Sequence, residues 1–256
     1  DGSVDRGVSF VCGNGSISDD VHIYGEQRAQ FFDMIKNYDI PLIIASWRSF
    51  KPSLWRKDRE LWRNEYGGEI RRKIKDKMFD LGILAGYMLW LDNVTCTQYD
   101  FVNLHPALPN GPKGTWKEVI WQLIRENEIY QGAMMHVCTP EWDRGAPITY
   151  CEFPIHNKEY DDLWIDLYKK LETKTLDDIV AEEGMDLPLF KKIREDGTRR
   201  ELPLIVETIR QFASGNLCIK EKKPYINGEP LNYPYNLSLI IDEKIGDPID
   251  GIRFDR

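Results

Sequence analysis

Apolar positions along the chain follow two rhythms. Short unbroken runs at residues 8–12, 40–46 and 81–86 read as strands buried on both faces, as expected when helices cover a sheet from either side. Between them lie stretches with helical spacing: 29–38 through Phe32 and Ile35, and 68–80 with Ile70, Ile74 and Met78 four apart. Residues 17–25 are polar and read as loop, and 47–66, rich in Trp, Arg and Lys, as a loop and a helix. Residues 100–104 form a further buried strand, closed by Pro106 and a Pro- and Gly-rich loop up to Thr115. Thr115 and Glu118 make a capping box, and Trp116, Val119, Ile120, Leu123 and Ile124 share one helical face. Strand alternating with helix up to Val137 predicts an α/β fold with a doubly wound, mainly parallel sheet.

Beyond Ile155 the pattern changes. Residues 161–171, 176–183 and 187–196 are charged with helical stripes, and Leu202, Ile205, Val206, Ile209 and Phe212 mark a clearer amphipathic helix closed by Gly215. Residues 217–232 read as a hairpin turning at Asn227-Gly228. The tail from Tyr233 is poorly patterned, and no repeat is visible. The expected organisation is an α/β domain over 1–155 and a helical extension with a terminal hairpin over 156–256, packed on the same domain.

Composition narrows the function. With 256 residues, 42% of them hydrophobic, the chain can build a substantial core. A net charge of −8 without a basic patch argues against nucleic acid as main partner. The longest apolar run, 81–91, is too short to span a bilayer and no signal peptide opens the chain, so a cytoplasmic enzyme is expected, without a membrane partner, as monomer or homodimer. Five scattered cysteines (Cys12, Cys96, Cys138, Cys151, Cys218) read as reduced thiols.

The candidate chemistry sits at the end of the 100–104 strand. Asn103 and His105 fall on one side because strand side chains alternate, and the carboxyl end of such a strand is where open α/β sheets bind ligands. Asn103-Leu-His-Pro-Ala-Leu-Pro109, Gly114, His136, Asp143-Arg-Gly-Ala-Pro147 and Leu84-Ala-Gly-Tyr-Met88 together resemble the signature of the folate-dependent formyltransferases, in that family's order over roughly residues 40–155. The resemblance implies transfer of a formyl group from 10-formyltetrahydrofolate, the co-substrate, to the amine of glycinamide ribonucleotide in purine biosynthesis. No metal is implied, and both partners are small molecules.

The resemblance also assigns roles. Formyl transfer to an amine passes through an oxyanion, which needs donors where charge develops and a route for a proton. Asn103 and a protonated His105 would be the donors and Asp143 the carboxylate keeping the imidazole charged, with His136 in support. The pterin would lie between Tyr87, Met88 and Leu91 on one side and Thr139, Pro140, Glu141 and Trp142 on the other, held largely by backbone groups. Leu89 and Trp142 depart from residues frequent in bacterial members. Zinc held by His105, His136, Asp143 and Cys138 lacks paired-ligand spacing. Met134, Met135 and the tryptophans read as core, and Arg71-Arg72-Lys73 and Lys220, Lys222 and Lys223 as solvated faces.

Two places stay open. Gly13, Asn14, Gly15 and Ser16 resemble the family's phosphate loop, and a glycine-rich turn feeding a helix suits an anion. Only one helix is read between them and the strand at 40–46, so residues 8–14 could equally be a second strand. The chain also opens at Asp1 rather than Met. The expectation is an incomplete first strand–helix unit, with the phosphate left to Arg199, Arg200 or the Lys113 loop, and formylfolate bound better than the ribonucleotide. In the C-terminal part, the acidic ribose contact does not fall in register at Thr198-Arg-Arg-Glu-Leu-Pro203. Rival acceptors are an amino sugar, methionyl-tRNA or water. The His-Pro pair and the acidic chain argue against tRNA, and the lack of a preceding regulatory domain against the hydrolase. A rival of another class is a folate-binding module without turnover.

Overall fold

Thr115 starts the best-defined helix of the chain as its sequence requires. Its hydroxyl accepts from the Glu118 N–H, the Glu118 carboxylate accepts from the Thr115 N–H, and Val119, Ile120, Leu123 and Ile124 are buried behind it. In a computed structural model of the chain the residues described are 9–13, 33, 35, 37–38, 41–85, 87, 89, 91–141 and 144–246. They group into two units, residues 1–82 with 87–101, and residues 83–86 with 102–256.

The first unit carries β1 (Ser9–Gly13), β2 (Leu42–Ser46), α1 (Pro52–Lys57) and α2 (Arg59–Ile74). After β3 (Gly82–Leu84) it also carries α3 (Asn93–Gln98). β1 and β2 pair parallel, from Ser9 opposite Leu42 to Gly13 opposite Ser46. The Trp- and Arg-rich stretch resolves into two helices that bury an aromatic cluster. Trp62 stacks on Tyr66 at 4.7 Å, Trp55 meets Trp62 edge-on at 4.6 Å, and Ala45, Ile70 and Ile74 complete the core. Helix α2 ends at Ile74, before Met78, which is 96% exposed. Met78 therefore does not continue the Ile70–Ile74 stripe expected from its spacing.

The second unit is built on a five-stranded sheet. Its later elements are β4 (Phe101–His105), α4 (Trp116–Glu126), β5 (Tyr130–Val137), β6 (Pro147–Pro154), α5 (Asp161–Leu171) and α6 (Leu176–Glu182). Then come α7 (Pro188–Ala213), β7 (Leu217–Lys220), β8 (Lys223–Ile226), β9 (Glu229–Pro230), β10 (Tyr235–Asn236) and α8 (Ser238–Ile245). Strand order is β10-β6-β5-β4-β3. This is the expected α/β class with a mixed sheet: β10 is parallel to β6, while β5 is antiparallel to both β4 and β6. The short connection from Val137 to Pro147 accounts for the latter pairing, since a parallel neighbour needs a longer crossover. The core lies between α4, α5, α6 and α7, filled by Ile120, Phe153, Tyr160, Trp164, Leu167, Ile179 and Phe190.

The C-terminal part differs from the pattern-based expectation in two ways. Residues 188–213 form one continuous helix through Gly197 and Pro203, with Leu204 and Ile205 buried but Leu202, Val206 and Ile209 exposed. The stripe read as its buried face is thus largely the outer one. The expected hairpin is a three-stranded meander, β7-β8-β9. Asn227-Gly228 turns β8 into β9, and a second turn at Glu221-Lys222, both with positive φ, joins β7 to β8.

Candidate active site

Antiparallel pairing brings the two strands that carry the candidate residues into one register. Asn103 of β4 stands opposite His136 of β5, and His105 opposite Met134. Because alternate residues share a face, Asn103, His105 and His136 project to the same side of the sheet. Asn103 Nδ2 lies 3.1 Å from His136 Nε2, and the two imidazole rings are 6.4 Å apart, nearly perpendicular. Both histidines are buried and Asn103 is half-buried.

Their proton positions follow from their partners. His136 Nδ1 is 3.0 Å from the carbonyl oxygen of Val137. A carbonyl can only accept, so Nδ1 carries the proton and donates it, and Nε2 accepts from the Asn103 amide. A single neutral tautomer satisfies both contacts. Asn103 keeps a second N–H for another acceptor. His105 Nε2 lies 3.0 Å from the Pro112 carbonyl and donates to it. The Pro- and Gly-rich loop therefore closes over the imidazole. Nε2 is committed to that contact.

The hairpin that carries His136 is irregular for a local reason. Register slips between Met135 and His136, from Thr149 to Pro147, leaving a bulge, a device that re-aims side chains. Gly145 is packed against it: a Cβ there would fall 1.6 Å from the Val137 oxygen, the same carbonyl that holds His136. Only glycine allows that approach. A second anchor lies in the first unit. Buried Asp92, directly after Leu91, caps α3 through the Val94 and Thr95 amides and pairs with Arg71 at 2.5 Å. Gly67 makes room for it, since a Cβ would sit 1.6 Å from the carboxylate.

Of the site residues expected from sequence, the structure gathers Asn103, His105 and His136. Asp143, Trp142, Met88, Asn14, Gly15 and Ser16 lie outside the described residues; Gly13 ends β1. Tyr87 is half-buried and Leu91 buried in the first unit; Thr139 is half-buried, with Pro140 and Glu141 exposed beyond β5. Thr139 Oγ1 donates to the Glu141 carbonyl at 2.9 Å. Among the described residues no three His, Cys, Asp or Glu side chains cluster as metal ligands, and no helix is long and apolar enough to cross a membrane. Sequence reading missed the Pro112 and Val137 carbonyls, Asp92 and Gly145's packing. Of these, only the acidic residue before α3 left a signal, as a helix cap.

The family model described as Formyl transferase matches residues 10–180. No curated protein matches the sequence. Among solved structures, a phosphoribosylglycinamide formyltransferase from Coxiella burnetii aligns with a TM-score of 0.56 at 18% identity, over 89% of this chain and 96% of its own. A formyltetrahydrofolate deformylase from Pseudomonas syringae aligns at 0.49 and 18% identity, over 77% of this chain and 52% of its own. A glycinamide ribonucleotide transformylase from Symbiobacterium toebii aligns at 0.44 and 19%, over 81% and 77%. The likeness to the Coxiella structure is one of fold.

Proposed function

The chain belongs to the formyl transferase family, the folate-dependent enzymes its motifs resemble, and we propose that it formylates glycinamide ribonucleotide from 10-formyltetrahydrofolate. The observation that carries this reading is the Asn103–His105–His136 face, with its donors directed to one side of the sheet. In the reaction the acceptor nitrogen attacks the formyl carbon, forming the new C–N bond and turning the carbonyl into an oxyanion. Collapse breaks the bond to the folate nitrogen, which leaves with a proton, while the new amide loses one.

Each residue has a part in that balance. The second N–H of Asn103 stabilises the oxyanion, and His136 orients that amide by accepting the first. His105 donates from Nδ1 as charge develops and is held in place by Pro112. Asp143 would keep the His105 ring protonated and relay the amine's proton. Preorganised donors of this kind contribute roughly a hundredfold or more each in rate. For the folate, the exposed residues Pro140 and Glu141, just past the strand of His136, suit the expected pterin contact. Gly13–Ser16, which resembles the family's phosphate loop, and Arg199, Arg200 or the Lys113 loop are the two alternative phosphate contacts. Small molecules are then the partners, and the cytoplasm the expected setting.

Acceptor choice decides between this reading and its rivals. Tetrahydrofolate release should be measured with glycinamide ribonucleotide, an amino sugar, methionyl-tRNA, and no acceptor. Release that depends on the ribonucleotide supports the proposal. Equal release without any acceptor makes the protein a hydrolase, and none at all makes it a binding module.

A further inference from the structure

Behind the catalytic strand, on the helix side of the sheet, lies a small cavity lined by Pro106, Trp116, Gln131, Arg194, Gly197 and Glu201 among others. Gln131 is only 3% exposed. Its Nε2 donates to the Pro106 carbonyl at 3.1 Å. A carbonyl offers no proton, so the amide must present its nitrogen to Pro106, which turns Oε1 away from it. That oxygen is fully buried and has no hydrogen-bond partner among the described residues. A buried acceptor left unmet keeps its full desolvation penalty, so an unmet Oε1 at a cavity wall points to an occupant that donates.

The size of the cavity says which. Its volume is about 10 Å³, close to the space that a single water needs. Its walls are polar enough for one. Arg194 donates to Glu201 at 2.6 Å and lies 4.5 Å over the Trp116 ring, so an ion pair borders the space. Gly197 leaves it open, since a Cβ there would meet no atom of the described residues within 4 Å.

We propose that Gln131 is a positioning residue for His105, locked in orientation by one buried water that donates to its Oε1. The link is short: Gln131 grips the carbonyl of Pro106, the residue after His105, from behind the sheet, while Pro112 holds the imidazole from the front. With both grips in place the ring has one setting; without the rear grip the β4 end can shift, and small misplacements of a catalytic group are costly in rate. This inference rests on the formyl-transfer reading for its kinetic consequence, but not for its structural one.

The test uses the full chain and Gln131→Met, which keeps the volume and removes both polar atoms. Expected are a kcat for formyl transfer about tenfold lower with KM for both substrates within about twofold, and a displaced His105 ring resonance with that of His156 unmoved. An unchanged kcat with His105 unmoved overturns the proposal, as does equal displacement of both histidines, which marks a general disturbance. Should the variant not fold, a crystal structure of the unaltered protein decides: a water within hydrogen-bond distance of Gln131 Oε1 supports the brace, and a dry cavity overturns it. Should the unaltered protein transfer no formyl group to any acceptor, the functional reading falls, and the brace stands or falls on the resonances and the water.

Discussion

Asn103 and His136 face each other across the β4–β5 ladder, the amide nitrogen of one 3.1 Å from Nε2 of the other. The pair is complementary only while His136 is neutral and Asn103 offers an N–H. Asn103→Asp would replace the donor by a carboxylate facing the same ring nitrogen. Nε2 must then carry a hydrogen to meet it, so the tautomer fixed by the Val137 carbonyl no longer fits. Turnover should fall at least about a hundredfold, the scale of one lost transition-state donor. Steady-state kinetics and the ring-nitrogen chemical shifts of His136 in the variant check both halves.

His105 and Asp143 carry a separable expectation. His105→Ala and Asp143→Asn should each lower turnover by about a hundredfold or more, with folate affinity nearly unchanged because the pterin is held elsewhere. Equilibrium binding of formylfolate alongside kcat is the measurement. Parallel loss of binding and turnover would make both residues structural.

Gly145→Ala tests the hairpin. The added Cβ meets the Val137 backbone rather than a mobile side chain, so β5 and β6 must move apart. A loss of about 1–3 kcal/mol, the scale of overpacking, should appear as a lower urea midpoint. Activity should drop as well, because the displaced carbonyl is the one that fixes the His136 tautomer.

The clamp between α7 and α8 gives a pH dependence. The Lys244 ammonium beside Glu207 holds its carboxyl below the ordinary range; burial opposes this, and Arg210 and Gln211 add to it. A depressed carboxylate contributes stability that is full above its unfolded value of about 4.3 and lost as pH falls through the folded one. Denaturant midpoints of the unaltered protein and Lys244→Met should therefore differ at neutral pH and converge on acidification. A gap that persists in acid contradicts the assignment.

What the sequence made legible were local features. The capping box of α4 and the shared face of Asn103 and His105 follow from neighbouring residues and strand period alone. The partnership of Asn103 with His136 does not, because it depends on a register set across 33 residues and bent by a bulge. Helix α7 reads as two pieces in the sequence, a stripe over 187–196 and another from Leu202 to Phe212, and Gly197 and Pro203 oppose helix locally. Burial of Leu189, Phe190, Ile193 and Leu204 outweighs them. The Glu221-Lys222 turn carries no residue that advertises positive φ, and β10, two residues long, is too short for any pattern.

The central claim is that the Asn103–His105–His136 face transfers a formyl group from folate to glycinamide ribonucleotide. Its most direct measurement is formyl transfer from 10-formyltetrahydrofolate to that ribonucleotide by the unaltered protein and by His105→Ala. The account predicts product made in step with tetrahydrofolate, and a rate at least about a hundredfold lower in the variant. No formylated ribonucleotide from the unaltered protein, or equal rates from both, would contradict it.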